Sequence, residues 1–454
     1  MASPSLSHGL GFTDLYDREG LVRLDAAFVG WLKESHVDAH ARLLAARVAP
    51  DALADKDESN LLIELARPLE DFLGALFGVA AEAAELRARH NKLAPVFDCK
   101  RLFVQRYVTR AIKADAAAAL DGATVSAEVA LPVRLEDGLE EWELAFATAV
   151  RDIAGADFKI TAPTPQIEAL TRYAAWALHS PEGKKRHRDG PLFKVPHKLD
   201  FEHLVPIETE VVDGVTRLRL PRPMLRHREG FALTDEGFDL VRALDHSNYC
   251  IWCHNQGKDS CARGLKDRKT GAFQKSPFGV TLAGCPLEEK ISEMNLLKSE
   301  GFSIGALAMA AVDNPLVAAT GHRICNDCMK ACIYQKQEPV DIPQIETRTL
   351  KDVLGLPWGF EIYSLLTRWN PLNLRRPIPR PTTGRTVLVV GLGPAGFNLA
   401  HHLMNDGHAV VGIDGLKIEP LPVEQSGVSA DGARHPFAAV RDTASIREDL
   451  GERA

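Results

Sequence analysis

Seven of the eight cysteines in this 454-residue chain fall between positions 250 and 332. Crowding of that kind limits what the middle of the chain can be: a segment built on disulfides, on a metal ion, or on a metal cluster. The first eleven residues lack a basic start followed by an apolar stretch, so no secretory leader is expected. No window approaches eighteen uninterrupted apolar residues, so no membrane span is expected either. A cytoplasmic setting follows, where thiols stay reduced and clustered cysteines ligate metals rather than pair. The formal net charge of −7 argues against nucleic acid as the main partner, because phosphate binding rests on excess Lys and Arg.

The pattern reads Cys250-x2-Cys253-x7-Cys261, then Cys285-Pro286, then Cys325-x2-Cys328-x3-Cys332. Close pairs let one loop present two thiolates to neighbouring irons, and distant cysteines then close the cage of a cubane cluster. Zinc competes: Cys250/Cys253 and Cys325/Cys328 would together make a four-thiolate site. That leaves Cys261, Cys285 and Cys332 without a role, so the spacing favours two iron–sulfur clusters without deciding the matter. His254, beside Cys253, is a reserve ligand, with a surface or supporting position the plainer reading. The lone Cys99 reads as a packing residue.

Residues 1–235 read as a mainly helical domain of unknown role. Leu24, Phe28 and Leu32 recur every four residues, and Leu62, Leu65, Leu69, Phe72 and Leu76 form a 3.6-residue stripe, with Pro68 as a kink or break. The run Lys184-Lys185-Arg186-His187-Arg188 reads as a solvated loop. Asp213-Gly214 suits the type I′ turn of a hairpin spanning 207–220. Residues 236–370 read as a helical iron–sulfur domain. There Pro286 fits the first turn of a helix whose positive end suits Glu288 and Glu289, with Leu287 facing the core and Gly301 as the stop. A second short helix starts at Ser303 and stops before Asn314-Pro315. Residues 371–385 form a proline-rich, semi-rigid linker.

Residues 386–454 begin as a Rossmann-type segment. A buried strand over 386–390 leads into Gly391-Leu392-Gly393-Pro394-Ala395-Gly396, an apolar-periodic helix, and a second strand over 408–413 that ends on Asp414. Gly391 permits the tight turn, Gly393 lets backbone approach a pyrophosphate, and Gly396 allows helix and strand to pack closely. Pro394 and Ala395 open the helix whose amino end attracts phosphate, and Asp414 would bond a ribose hydroxyl. Forty residues follow Asp414, with a strand signal only at 437–440. A complete flavin domain and a nicotinamide domain do not fit in that length, so the chain reads as the leading part of a longer enzyme.

Residues 245–350 resemble the amino-terminal iron–sulfur domain of the glutamate synthase small subunit, also found in dihydropyrimidine dehydrogenase. The likeness rests on Gly284-Cys285-Pro286, Ser299-Glu300-Gly301, Asp313-Asn314-Pro315-Leu316, Gly321-His322-Arg323-Ile324-Cys325, and the run from Val340 through Pro343 and Gln344 to Glu346. This sequence departs from the family in a longer Cys253–Cys261 spacing, an insert before Cys285 and a tighter Cys325–Cys328 gap. The resemblance implies two 4Fe–4S clusters with interlaced ligands. One would be held by Cys250, Cys253, Cys261 and Cys332, the other by Cys285, Cys325 and Cys328 with a carboxylate or amide. Glu346 occupies that last place and Gln344 is the reserve; the plainer reading of Glu346 is an exposed carboxylate at a helix start. The glycine fingerprint serves FAD in that family, with NAD(P)H as electron donor.

The fold expected is therefore multidomain: a mainly α first half, an α-helical 4Fe–4S domain, and the truncated start of an α/β Rossmann-type domain. The function expected is that of an iron–sulfur flavoprotein oxidoreductase, passing electrons from NAD(P)H-reduced FAD through the clusters to a partner subunit or further domain. No residue is a convincing general acid, base or nucleophile. A non-catalytic electron-transfer or docking subunit and a zinc-stabilised interaction protein are the alternatives.

Overall fold

A computed structural model describes residues 6–415, except 130, 134, 136, 137, 161, 227–229, 231, 232, 234, 322 and 323, together with 429 and 433. The chain opens with four helices: α1 (Arg18–Ser35), α2 (Val37–Val48), α3 (Asp55–Phe77) and α4 (Ala80–Asp98). Asp17 starts α1 by accepting the Gly20 N–H at 2.7 Å, the usual service of an aspartate at an N-cap. The predicted stripes are buried, Leu24, Phe28 and Leu32 on α1 and Leu62, Leu65, Leu69, Phe72 and Leu76 on α3. Helix α3 continues through Pro68 rather than breaking there, and stops on Gly78 at φ +66°.

The helices before residue 235 divide between two cores. α1–α3 share one core with the cysteine region, packing on α9 (Ile291–Ser299), α10 (Ser303–Asp313), α11 (Ile342–Leu354) and α12 (Gly359–Leu366). Phe28 meets Phe72 edge-on at 5.3 Å and Trp369 at 5.9 Å. The second core takes α5 (Leu139–Ala154), α6 (Pro165–His179), and the ten-residue π-helical stretch Cys99–Val108 that prolongs α4. Cys99 is buried in this core, as expected of a packing residue. The basic run at 184–188 is not a loop: Lys184, Lys185 and Arg186 form the last turn of α7 (Pro181–Arg186), where cations suit a helix carboxyl end. A small third core joins Leu93 and Phe97 of α4 to α8 (Leu240–Tyr249).

Strands β1 (Glu208–Val212) and β2 (Val215–Arg219) make the expected antiparallel hairpin, with Asp213 at φ +52° and Gly214 at φ +76°. Strands β3 (Thr386–Val390) and β4 (Ala409–Ile413) pair in parallel through α13 (Pro394–Asn405), a βαβ unit. The strand signal at 437–440 lies outside the described residues. Among the described residues no helix is long and apolar enough to cross a membrane.

Two buried ionic joints fasten the first helices to the cysteine region. Glu70 of α3 accepts the Ile304 and Gly305 N–H groups at 2.9 and 3.2 Å, capping α10, and takes a third bond from Arg87 at 2.7 Å. Lys298 of α9 is fully buried between Asp352 of α11 and His90 of α4, donating to the His90 ring nitrogen at 3.0 Å. Arg348 closes on Asp352 at 2.6 Å. Removing one member of a buried pair strands the other charge. Asp352→Ala is therefore expected to cost about 3–5 kcal/mol, read in urea unfolding. His90 has its pKa lowered to about 4, first by burial and then by Lys298. Its neutral form stabilises the fold fully above pH 6.5, and that contribution is lost as pH falls from about 6.5 towards 4, a loss of roughly 3 kcal/mol. His90→Gln should flatten the stability profile across that window; an unchanged slope would refute the assignment.

Candidate metal centres and glycine loop

The cysteine loops carry little regular structure, so their positions are set by what they lean on. Helix α8 delivers Cys250 at its carboxyl end. Trp252, in the left-handed region at φ +51°, then turns the chain into the single turn Cys253–Gln256. Asp259 caps the short helix Ser260–Arg263, which carries Cys261. Cys332 arrives from the far side, just beyond the short helix Asp327–Lys330. These four sulfurs are electrostatic neighbours: Cys250 feels Cys253 and Cys332, Cys253 feels Cys332, and Cys261 feels Cys250 and Cys332.

All four are buried. Burial pushes the Cys250 thiol up to about 12 and Cys253 up to about 11, and raises Cys261 and Cys332. Backbone donors pull the other way. Trp252 N–H bonds the Cys250 sulfur, Ser260 N–H bonds Cys253, and the N–H groups of Tyr334, Val340 and Ile333 aim at Cys332. Such donors stabilise the thiolate over the thiol and tune the potential of a sulfur-ligated cluster. Tyr249 and Tyr334 stack at 4.3 Å beside this group.

A second group lies next to the first, joined by the Cys285 N–H donating to the Cys261 carbonyl at 2.7 Å. The helix expected from Pro286 onward begins only at Ile291. Glu288 takes a left-handed turn at φ +52° and Leu287 is 51% exposed instead of facing the core. That turn swings Glu289 inward, away from the helix end expected for it. Buried Glu289 neighbours Glu346 and Cys325, while Cys328 neighbours Glu346, Glu289 and Cys285. Glu346, on α11, is buried rather than exposed, and burial raises its pKa to about 8. Gln344 faces elsewhere, its side-chain oxygen accepting the Phe238 N–H at 3.1 Å. Glu289 is the residue that sequence reasoning missed: nothing local distinguishes it from a helix-start carboxylate. His322 and Arg323 lie outside the described residues. His254 is buried and bonded through Nδ1 to Ser292 Oγ at 2.6 Å, a supporting position rather than a surface one.

Among the described residues no three His, Cys, Asp or Glu side chains converge tightly enough to hold a single metal ion. Four thiolates on one zinc would stand about 3.8 Å apart, given a zinc–sulfur bond of about 2.3 Å. Cluster ligands sit on separate irons and are spread wider. In the two groups, five buried thiols, half-buried Cys285, exposed Cys325, a buried carboxylate with an unpartnered oxygen (Glu289 Oε1) and N–H groups converging on Cys332 are donors of a kind that fits such a cage.

The glycine loop lies at the other end of the chain. Gly391 turns at φ +88°, and a Cβ on Gly396 would lie 1.7 Å from the Gly391 carbonyl oxygen, so helix and turn touch through glycine. Gly393 has nothing within 4 Å of its missing Cβ. Pro394 takes the first helical position and Ala395 follows it; Gly393, the N-cap, supplies no side-chain cap, leaving N–H groups at the amino end of α13. Asp414 Oδ2 accepts the Leu392 N–H at 2.5 Å, tying the end of β4 to the loop.

The family described as RP005 N-terminal alpha-helical domain matches residues 6–78. Uncharacterized protein RP006 of Rickettsia prowazekii is 64% identical over 106 residues, 23% of this chain and 15% of that protein. Uncharacterized protein RP005 of the same organism is 27% identical over 309 residues, 65% of this chain and 98% of RP005. The glutamate synthase [NADPH] small chain of Mycobacterium tuberculosis is 35% identical over 128 residues, 28% of this chain and 23% of that protein. The Bacillus subtilis protein of the same name is 35% identical over 130 residues. The chain thus spans about a sixth of RP006 and under a quarter of the glutamate synthase small chains. The distant, partial matches to the glutamate synthase small chains support an oxidoreductase relation.

Exposure sets the order in which the thiols meet a reagent. Cys325 is exposed, Cys285 half-buried and the rest buried. In iron-free chain treated with iodoacetamide at pH 7.5, peptide mass spectrometry should find Cys325 alkylated first and Cys99 and Cys261 last. Early labelling of Cys261 would contradict the packing described.

Proposed function

We propose that this chain is an electron-carrying module of an iron–sulfur flavoprotein oxidoreductase. The observation that carries the reading is the sorting of eight donors into two adjacent groups. Cys250, Cys253, Cys261 and Cys332 would hold one 4Fe–4S cluster. Cys285, Cys325, Cys328 and Glu346 would hold the other, with Glu289 as a rival to Glu346. The partial likeness to glutamate synthase small chains supports the same reading. When bound, FAD divides a nicotinamide hydride into single electrons, and the clusters pass these on one at a time.

This chain's own residues bind, orient and shield. The backbone donors around Cys332 set the charge its sulfur carries, and the apolar wall from α9 and α10 keeps water from the buried sulfurs, while Cys325 stays open to solvent. The amino end of α13 offers N–H groups to a pyrophosphate across the open face of Gly393. Asp414 already holds Leu392, so ribose recognition would use its remaining lone pairs. No side chain here is assigned proton transfer to substrate. The number of free thiols favours a reducing, cytoplasmic setting, and a further domain or subunit receives the electrons.

Asp414's bond to the glycine loop also favours a second reading, an electron-transfer subunit with clusters and no flavin; flavin bands separate the two. After anaerobic purification, about eight irons and eight acid-labile sulfides per chain are expected. Cys328→Ala should remove about half of each while leaving the first group's absorbance. About one zinc without sulfide would overturn the electron-transfer reading in both forms and leave a zinc-bound interaction domain.

A further inference from the structure

A cavity of about 450 Å³ separates the second core from α8, within the range of small-molecule sites. Its walls come from four segments distant in sequence: α7 with residues 187–197, the π-helical stretch carrying Lys100 and Gln105, α8 with Arg242 and Asp245, and the chain at Glu338. Lys100, Lys184, Arg188, Lys194 and Arg242 there face the carboxylates of Asp189, Asp245 and Glu338. None of these residues belongs to the cysteine groups or the glycine loop.

The charges in the cavity do not balance. Lys100 pairs with Asp245 at 2.5 Å and Arg188 with Asp189 at 3.4 Å. Lys184, Lys194 and Arg242 line the same space, each without a carboxylate partner among the described residues. Burial lowers the pKa of Lys194, which makes no ion pair of its own among the described residues; Asp245 and Glu143 attract it, while Lys100 and Arg242 repel it. Gathering cations in a half-enclosed space is unfavourable unless an anion joins them.

The walls are also fixed in advance. Glu143 Oε2 accepts the Leu192 N–H at 3.0 Å, and a Cβ on Gly190 would fall 2.0 Å from the Glu143 carboxylate, so the loop that carries Lys194 is clamped to the second core. His187, in the cavity floor, is buried and bonds Tyr173 at 2.9 Å. Arg242 stacks on Phe238 at 5.5 Å, which, with Phe193, gives the cavity an apolar side. The unpaired cations rise from two segments, Lys184 and Lys194 from α7 and the loop after it and Arg242 from α8, and their charge is more than one acidic group can meet.

We propose that this cavity binds a small organic anion bearing two or more acidic groups, held by Lys184, Lys194 and Arg242 against the Phe193 and Phe238 rings. The site is independent of the electron-relay reading and is tested without it. Isothermal titration calorimetry on the full chain, at constant ionic strength, uses citrate, inorganic pyrophosphate and acetate as probes. Citrate or pyrophosphate should bind at one site per chain, at least about tenfold more tightly than acetate; which of the two binds better tells carboxylate from phosphate recognition. The K194A/R242A double variant should weaken that binding about tenfold or more, whereas Lys258→Ala, outside the cavity, should not change it. Should the double variant melt earlier than the parent, Lys184→Ala on the exposed rim carries the same expected direction of loss. Equal affinity for acetate, or binding unchanged in the cavity variants, would overturn the proposal.

Discussion

Two buried charges, Glu70 and Lys298, hold the arrangement on which everything else in the middle of the chain depends. The cysteine loops are built from single turns that bury too little to stand alone, and such short helices are not stable in isolation. They stand because α9, α10 and α11 form a platform behind them, and that platform is fastened to α3 and α4 by ions out of reach of water. Glu70 supplies the acceptor that the first N–H groups of α10 lack. Lys298, with Asp352 and Arg348 on one side and neutral His90 on the other, ties three helices at one point. Buried ion pairs contribute modest net stability, but they discriminate strongly against any other docking of the helices. The first helices thereby act as the outer wall of the cysteine region.

The same burial sets the electrostatics of the donors. Thiols and carboxylates deprived of water hold their protons, so Cys250, Cys261, Cys328, Glu289 and Glu346 are all shifted towards the neutral form. Neighbours within a group add to this, Cys250 and Cys332 raising Cys261 and Glu346 and Glu289 raising Cys328, as like charges do in a dry space. A cation placed among them reverses that balance and draws the protons off together, which couples metal uptake to proton release. The N–H groups aimed at Cys250, Cys253 and Cys332 oppose the shift towards the neutral form only in part, burial being the larger effect.

Sequence legibility followed the range of the interaction responsible. The hairpin at 208–219 was readable because Asp213-Gly214 alone fixes the turn, and β3 because its glycines follow at once, although the burial expected of it holds only at Val389, with Leu388 and Val390 exposed. The stripes of α1 and α3 were readable as periods. Of the kink or break expected at Pro68 there is no break, since the missing N–H is tolerated by a helix otherwise held along one face by its core. Pro286 misled: its preference for a first helical turn was overridden by Glu288, and Glu289 went to the interior to meet Glu346 and Cys328. No local propensity encodes that meeting. The cavity beside Lys194 was invisible for the same reason, since its walls come from segments far apart in sequence.

The segment at 371–385 bears on whether the two ends of the chain can work together. Its prolines suggest a spacer, but a spacer free to swing would leave the glycine loop at no fixed place relative to the cysteines, and electron exchange requires a fixed short separation. The segment is instead tied along its length. Asn370 bonds the Ala308 carbonyl of α10 at 2.8 Å, and Arg18 of α1 bonds the Pro379 carbonyl at 3.1 Å. Arg376 meets Asp406 at 2.5 Å, the Arg380 N–H donates to the Asn405 carbonyl at 2.8 Å, and Asn405 reaches back to the Thr367 carbonyl at 3.2 Å. A Cβ on Gly407 would lie 2.1 Å from the Pro381 carbonyl oxygen, so the turn before β4 lies flat on the linker. These contacts join α13 to the helices behind the second cysteine group. The βαβ unit is therefore seated on the helical body, and proline here stiffens a strap whose two faces are both occupied.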